Sequence, residues 1–418
     1  MRSLFAVANR PEVVSLAGGM PNIEDLPRAA LGEAAAKLIA DHGTQALQYG
    51  SGQGEAFIRE LTCEIMALEG VNANPDDVVM CAGSTQGLDI LTRVFIDPGD
   101  VILTEAPTYV GALSTFAAYQ AQIVHVEMDG DGISMAALDQ ALATVRAQGK
   151  TAKFLYTIPN FQNPSGITQT MERRRELVEF AEKEHLLILE DNPYGLLTID
   201  GTPKPALRSL ESDQIIYLGS FSKIFSPGVR LGWIVAPPAV REKLVLTQEA
   251  ATLCPSVFSQ FLVKTYFDTF DWRSQIVEFN DMYRARRDAM EDGLAKHMPE
   301  GMTWTHPAGG FFVWAQLPQG LDSQAMLPRA VTAKVAYVPG PAFYADGFGS
   351  RYMRLSYCFP TPERIFEGTR RLGDVIKAEL AMRATFGLDA LEDGQTSPEQ
   401  APLTGKDQHG QGPAPDIL

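Results

Sequence analysis

The stretch IIYLGSFSKIFSPGVRLGWIVAP, residues 215–237, joins two short apolar runs through a segment that carries Lys223 and Arg230. The runs 215–220 and 231–237 are apolar throughout instead of alternating, which is typical of strands covered on both faces. Lys223 lies between a serine-rich turn and a proline, with apolar neighbours. A surface turn whose lysine reaches water would explain a single Ser-Lys pair. The role of this lysine therefore depends on what the rest of the chain places around it.

Five runs upstream have the same apolar character: DVVMCAG (77–83), VILTE (101–105), IVHVEM (123–128), KFLYTIP (153–159) and LLILED (186–191). Between them lie stretches with apolar residues at helical spacing, such as STQGLDILTRVF and MERRRELVEFAEKEH. Strands that alternate with helices indicate a mostly parallel sheet with right-handed crossovers. The sequence therefore predicts an α/β fold, with a large domain whose mostly parallel seven-stranded sheet is sandwiched by helices.

The pattern changes after a long helical stretch at 275–298. The segments FFVWAQLP, VAYVPGPAFY and RYMRLSYCF, followed by a last helix, indicate a smaller α+β domain with antiparallel strands. We predict that residues 1–44 form an N-terminal segment of the small domain, 45–280 the large domain and 281–391 the rest of the small domain. Residues 392–418 are poor in large apolar side chains, so we expect a disordered tail.

Composition excludes several classes of protein. The chain has 418 residues, 45% of them hydrophobic, and a formal net charge of -16, which argues against nucleic acid or anionic membranes as partners. Its four cysteines show no disulfide or metal-ligand spacing. The sequence shows neither a secretory signal nor the roughly 18 consecutive apolar residues of a membrane span. We expect a cytoplasmic protein that binds no metal, no nucleic acid and no membrane.

Polar, charged and aromatic residues that could bind a single ligand follow the predicted strands. In open α/β sheets, ligands bind beyond the carboxyl ends of the strands. Taken singly, each of these residues has an ordinary explanation as a helix cap, a turn residue or part of the core. Together they supply a helix N-terminus with hydroxyl groups that can bind an anion, an aromatic ring that can stack on a planar ligand, an amide, a carboxylate, an amine and a guanidinium. The residues are Ser84, Thr85, Gln86, Tyr109, Asn163, Asp191, Tyr194, Ser220, Ser222, Lys223 and Arg230.

This set of groups matches pyridoxal 5'-phosphate. The phosphate requires a helix N-terminus, hydroxyl groups and a guanidinium fork. The aldehyde requires a lysine amine that can bond to it covalently. The pyridine nitrogen must stay protonated, which a buried aspartate favours.

Several motifs occur in a specific order: AGSTQGLDIL, NPSG, DNPYG, SFSK followed by PGVRLGW, and RLSYCF. Over about residues 10–385 the chain resembles the fold-type I, class I/II aminotransferases that use pyridoxal phosphate. It is most similar to the 2-aminoadipate and kynurenine aminotransferases. The resemblance implies transfer of an amino group from an L-amino acid of 2-aminoadipate, aromatic or branched-chain type to a 2-oxo acid. It also implies 2-oxoglutarate as the acceptor and a ping-pong mechanism.

The resemblance also implies roles for single residues. Lys223, Asp191 and Tyr109 would be catalytic, with Lys223 bonded to the cofactor and moving the proton. Gly19, Asn163 and Arg354 would bind the substrate. Tyr49 would reach the site of the other subunit in a homodimer. The cofactor-binding residues would be Ser84, Thr85, Gln86, Tyr109, Asn163, Asp191, Tyr194, Ser220, Ser222, Lys223, Arg230 and Tyr49.

Two alternatives stay open at this point. The same fold supports racemases, lyases and oxidases, because a fold does not determine a reaction. The domain also occurs as the ligand sensor of transcription regulators, but those carry a basic DNA-binding module and this chain is acidic. Substrate choice is open as well. Apolar residues near the expected pocket could contact a side chain or form core: Phe311, Phe312, Tyr337 and Phe343.

Overall fold

A computed structural model describes residues 10–386. The predicted tail at 392–418 lies outside these residues. The described chain forms an eight-stranded sheet, a four-stranded sheet and a two-stranded pair. The strands are β1 (Val14–Ser15), β2 (Val78–Cys81), β3 (Val101–Ala106), β4 (Gln122–Asp129), β5 (Gly132–Ile133), β6 (Ala152–Thr157), β7 (Ile188–Asp191), β8 (Ile215–Ser220), β9 (Gly232–Val235), β10 (Thr303–Trp304), β11 (Phe312–Gln316), β12 (Val335–Ala336), β13 (Val338–Pro339) and β14 (Tyr352–Ser356).

The large sheet has the order β2-β9-β8-β7-β6-β3-β4-β5 and contains all seven predicted strands. Strands β4, β3, β6, β7 and β8 run parallel, as predicted. Strand β9 is antiparallel to both of its neighbours. Ser220 at the end of β8 pairs with Gly232 at the start of β9, so the segment 221–231 returns the chain to the same end of the sheet without a crossover. The eighth strand, β5, is a two-residue addition that forms a hairpin with β4.

Helices flank the sheet at the predicted positions, since their apolar spacing is a local property of the chain. The helices are α1 (Arg28–Ala46), α2 (Ala56–Ala67), α3 (Ser84–Phe95), α4 (Val110–Ala118), α5 (Met135–Ala147), α6 (Met171–Glu184), α7 (Phe221–Ile224), α8 (Pro238–Thr252), α9 (Val257–Thr269), α10 (Trp272–His297), α11 (Ser323–Thr332) and α12 (Pro362–Thr385). Within residues 10–386, none of them is both long and apolar enough to cross a bilayer.

The second sheet has the antiparallel order β10-β11-β14-β13. Strand β1 pairs in parallel with β12, so the beginning of the described chain lies against its C-terminal part. Helix α10 runs without interruption through the predicted domain boundary at residue 280. The domain boundaries therefore stay predictions.

One close backbone contact fixes the site relative to the large sheet. A Cβ atom on Gly232 would lie 2.8 Å from the backbone nitrogen of Ser84 and 2.8 Å from the carbonyl carbon of Gly83. Only glycine leaves room for this approach. The N-terminus of α3 therefore rests directly on the backbone of β9, beside the turn that carries Lys223.

Candidate active site

A cavity of about 490 Å³ lies at the carboxyl ends of the parallel strands. It brings together residues that are widely separated in the sequence, as the strand order requires. Twelve of the fourteen predicted site residues line it: Gly19, Ser84, Thr85, Tyr109, Asn163, Asp191, Tyr194, Ser220, Ser222, Lys223, Arg230 and Arg354.

The other two predicted residues, Gln86 and Tyr49, are not part of this lining. The Oε1 atom of Gln86 accepts a hydrogen bond of 2.5 Å from the backbone N–H of Ala82, so the side chain turns back to the end of β2. Tyr49 is 76% exposed. Its predicted contact with the site of a partner subunit involves a second chain and stays a prediction.

The N-terminus of α3 forms one end of the cavity. Gly83, with φ of 83°, precedes the helix, and a Cβ atom there would lie 2.7 Å from the guanidinium of Arg230. Arg230 Nη2 donates to the carbonyl of Ala82 at 2.9 Å, which holds the guanidinium beside the helix start. The hydroxyls of Ser84 and Ser222 line the same region. Unpaired N–H groups, hydroxyls and a guanidinium suit a phosphate dianion.

Lys223 projects into the cavity from α7. Its Nζ donates a hydrogen bond of 2.8 Å to the carbonyl oxygen of Gly19 and lies 5.5 Å from the centre of the Phe311 ring. Burial lowers the pKa of Lys223 to about 8, and the nearby Arg354 charge acts in the same direction. Roughly a tenth of the amine is therefore neutral at pH 7, far more than for an ordinary lysine, which favours a nucleophilic role.

Asp191 ends β7 and is buried at the floor of the cavity. Its Oδ2 accepts a hydrogen bond of 2.7 Å from the hydroxyl of Tyr156, whereas Oδ1 is buried and has no partner among the described residues. Burial raises the pKa of Asp191 to about 6, and the Tyr156 bond and the Lys223 charge oppose that rise. A buried oxygen without a partner is costly, so this atom fits a ligand N–H.

Arg354 enters the cavity from β14. Nη1 donates to Asn163 Oδ1 at 2.9 Å and Nη2 to the carbonyl of Ala17 at 2.7 Å, while the buried Nε has no partner. The guanidinium lies 4.1 Å from the Phe312 ring centre and 5.1 Å from that of Phe343. Burial lowers the pKa of Arg354 to about 10. No described carboxylate pairs with this cation, which therefore suits an anionic ligand.

The structure assigns the aromatic residues that the sequence left open. Phe312 and Phe343 stack on Arg354, and Phe311 lies beside Lys223. Tyr337 instead belongs to the small-domain core, where its hydroxyl donates to the carbonyl of Ser323. Sequence reasoning missed Tyr156. The only signal was its place on β6 beside β7, since Tyr156 pairs with Leu189, two residues before Asp191.

Three observations fit pyridoxal phosphate: a cradle for phosphate at the start of α3, an amine in reach of the cavity, and an unpartnered oxygen on Asp191. Each serves a different part of that molecule, namely the phosphate, the aldehyde and the pyridine nitrogen. Within residues 10–386, no cluster of His, Cys, Asp or Glu is arranged to hold a metal ion. The fold and the site together define an enzyme of the fold-type I class that depends on pyridoxal phosphate.

Comparison with known proteins narrows this class. Residues 11–372 match the family model described as aminotransferase class I and II. An aromatic-amino-acid aminotransferase from Thermococcus litoralis is 41% identical over 91% of this chain and 92% of that relative. The chain therefore belongs to the class I and II aminotransferases and is a pyridoxal-phosphate-dependent aminotransferase.

Two solved structures with bound cofactor species are similar throughout. The kynurenine aminotransferase of Pyrococcus horikoshii, in complex with PMP, has a TM-score of 0.86 and 38% identity, covering 91% of this chain and 94% of its own. The alpha-aminoadipate aminotransferase of Thermus thermophilus, complexed with phosphopyridoxyl-leucine, has a TM-score of 0.84 and 34% identity, covering 91% of this chain and 95% of its own. Both agree with the cofactor that the site predicts.

Proposed function

We propose that this aminotransferase takes its amino group from L-amino acids with aromatic or other large apolar side chains and passes it to 2-oxoglutarate. The observation that carries the proposal is the apolar part of the cavity lining, which includes Phe312, Ile158 and Pro193; the Phe312 ring centre lies 4.1 Å from the guanidinium of Arg354. Such a wall favours donors that bury apolar area. The similarity to an aromatic-amino-acid aminotransferase and a kynurenine aminotransferase supports the same donor class.

Each cation of the cavity has a proposed partner other than the substrate side chain. Among the described lining residues they are Lys223, Arg230 and Arg354. Lys223 is required for the chemistry, Arg230 faces the phosphate cradle, and Arg354 suits the substrate α-carboxylate. No described lining cation is left for a second carboxylate, whether on 2-oxoglutarate or on 2-aminoadipate, so we propose that a distal carboxylate keeps its contact with water. The ranking of donors therefore rests on the apolar wall: an aromatic side chain buries more apolar area against it than the side chain of 2-aminoadipate, and we rank 2-aminoadipate below aromatic donors.

In the proposed mechanism, Arg354 binds the α-carboxylate of the donor and orients its Cα–H bond. Asn163 and the carbonyl of Ala17 hold the plane of the guanidinium, so little reorganisation is needed on binding. Pyridoxal phosphate, when bound, supplies the electron sink that stabilises the carbanion. Asp191, whose buried Oδ1 has no described partner, would hold the ring nitrogen of the cofactor in its protonated form.

Lys223 is the general base and acid of this proposal. Its depressed pKa of about 8 lets the neutral amine accept the Cα proton at Nζ, and the resulting ammonium would then donate that proton to the bound cofactor and not back to Cα. Donor and acceptor both carry an α-carboxylate for Arg354 and occupy one cavity in turn. The kinetics are therefore proposed to be ping-pong.

A panel of amino donors with 2-oxoglutarate tests this function, with glutamate formation as the readout. We expect kcat/KM for phenylalanine to exceed that for 2-aminoadipate by about tenfold, since the extra apolar area that the ring buries against this wall contributes about 1.4 kcal/mol. Equal or higher kcat/KM for 2-aminoadipate would contradict the proposed donor class. Consumption of donor without stoichiometric glutamate would instead indicate a racemase, lyase or oxidase reaction.

We also propose that the enzyme is a cytoplasmic homodimer in which Tyr49 contacts the site of the other subunit. Several large apolar side chains near Tyr49 in the sequence or the fold are exposed in the single chain, including Leu47 at 69% and Leu253 at 51%. Exposed apolar side chains of this kind mark protein interfaces. Sedimentation analysis of the wild type and of a Tyr49→Ala variant, with donor kinetics of each, would test the assembly and the shared site.

A further inference from the structure

A second cavity, of about 460 Å³, lies next to the active site. Gly18 and Met20 line it, whereas Gly19 lines the active-site cavity. Residues 18–20 therefore contribute to the lining of both cavities. Neither the proposed reaction nor the residues predicted from sequence use this second cavity.

The charge of this cavity is opposite to that of the whole chain. The chain carries a formal net charge of -16, yet the lining contains the three arginines Arg10, Arg286 and Arg364 against one carboxylate, Glu24. The hydroxyl-bearing Ser356 adds a hydrogen-bond donor. A concave surface lined mainly by one sign of charge concentrates ions of the other sign.

Arg286 is the least usual of these side chains, because it is only 6% exposed. Its Nη1 donates to the carbonyl of Cys358, and its other N–H groups have no hydrogen-bond partner among residues 10–386. No described carboxylate lies within ion-pair distance of it; burial lowers the pKa of Arg286, and the more distant carboxylates of Asp25 and Glu24 oppose that shift. Arg364, by contrast, already has hydrogen-bond partners within the chain, since its Nη2 donates to the carbonyls of Pro11 and Val13 at 2.9 Å each.

A largely buried guanidinium with no carboxylate in direct contact is costly, and an oxyanion in the cavity would offset that cost. The planar guanidinium fork matches a carboxylate or a phosphate with two parallel hydrogen bonds. We propose that the second cavity binds the carboxylate or phosphate group of a small metabolite, with Arg286 as its principal ligand. This site is independent of the donor class proposed above.

Isothermal titration of the holoenzyme with inorganic phosphate, and separately with acetate, tests the proposal. The holoenzyme is used because its cofactor already fills the phosphate cradle at α3. We expect Arg286→Gln to weaken binding of the preferred anion by about tenfold or more, the usual effect of losing a charge-assisted hydrogen bond. Arg273→Gln is the matched control, because it removes the same charge from an exposed position on α10 and should change the affinity less than about twofold.

Glu24→Gln gives a second, opposite test that does not depend on the folding of the Arg286 variant. Removal of the carboxylate from the lining should tighten anion binding by about two- to threefold. The tighter of the two probes identifies the ligand as phosphate-like or carboxylate-like. The proposal is overturned if the wild-type holoenzyme binds neither anion at millimolar concentration, if Arg286→Gln binds as tightly as wild type, or if Glu24→Gln leaves binding unchanged.

Discussion

Replacement of Arg354 by lysine tests the proposed substrate clamp while keeping a positive charge. In the wild type, two N–H groups of Arg354 bond to Asn163 and to Ala17, and the guanidinium lies between the rings of Phe312 and Phe343. A single ammonium group cannot satisfy both acceptors and also present two parallel donors to a carboxylate. The variant therefore loses at least one charge-assisted hydrogen bond to the substrate.

The size of the effect follows from this loss. A hydrogen bond to a charged group contributes about 1.5–3 kcal/mol, which corresponds to a drop of roughly 10- to 150-fold in kcat/KM. Because donor and acceptor share the carboxylate clamp, kcat/KM should fall by a similar factor for the amino acid and for the 2-oxo acid. Steady-state kinetics with each substrate varied in turn measures both values.

Arg351→Lys is the matched control, since Arg351 lies just before β14 and its Nη2 donates to the carbonyl of Leu317, away from the cavity. We expect this control to keep kcat/KM within about twofold of wild type. Thermal unfolding of both variants shows whether they are folded. The reasoning is refuted if a folded Arg354→Lys enzyme keeps wild-type kcat/KM, or if only one of the two half-reactions is impaired.

Three further predictions concern other residues of the site and the core. The Lys223→Ala variant should no longer bind the cofactor covalently, which borohydride reduction followed by mass spectrometry would show. Its turnover should fall at least about a hundredfold. Normal turnover would show that another group moves the proton. Tyr156→Phe removes a hydrogen bond that lowers the pKa of Asp191, so this pKa should rise above about 6. As pH falls, cofactor binding to the apoenzyme should therefore weaken at a higher pH in the variant than in wild type. Coincident pH profiles of binding would exclude this positioning role of Tyr156. The carboxyl of Glu69 has its pKa raised by burial from 4.5 to about 8, so the native state keeps a proton that the unfolded state releases, and stability falls as pH rises between these values. Glu69→Gln should therefore lose less thermal stability over that range, and equal losses in both proteins would contradict the assignment.

The arrangement of strands and helices could be predicted because it depends on local patterns. Helix α3 spans Ser84–Phe95, the stretch that its apolar spacing indicates, and the seven predicted strands all occur. The antiparallel direction of β9 was not predicted, since the strand's apolar run is the same in either direction. The two-residue strand β5 is too short to leave a pattern.

Contacts within the site were harder to predict, because they join residues far apart in the chain. Lys223 bonds to a carbonyl 204 residues earlier, and Arg354 bonds to Asn163 across 191 residues. The hydroxyl of Tyr156 reaches Asp191 from the neighbouring strand. No local periodicity records such contacts, which depend on how the two sheets are placed around the cavity.

The sequence alone determined which chemical groups follow each strand and hence which cofactor the strand ends could hold, because the order of the strands brings their carboxyl ends to one edge. Only the tertiary structure decided which atoms of those groups are satisfied and which are left for a ligand. Asp191 Oδ1 and Arg354 Nε are both buried without a described partner, and burial is a property of the packed chain.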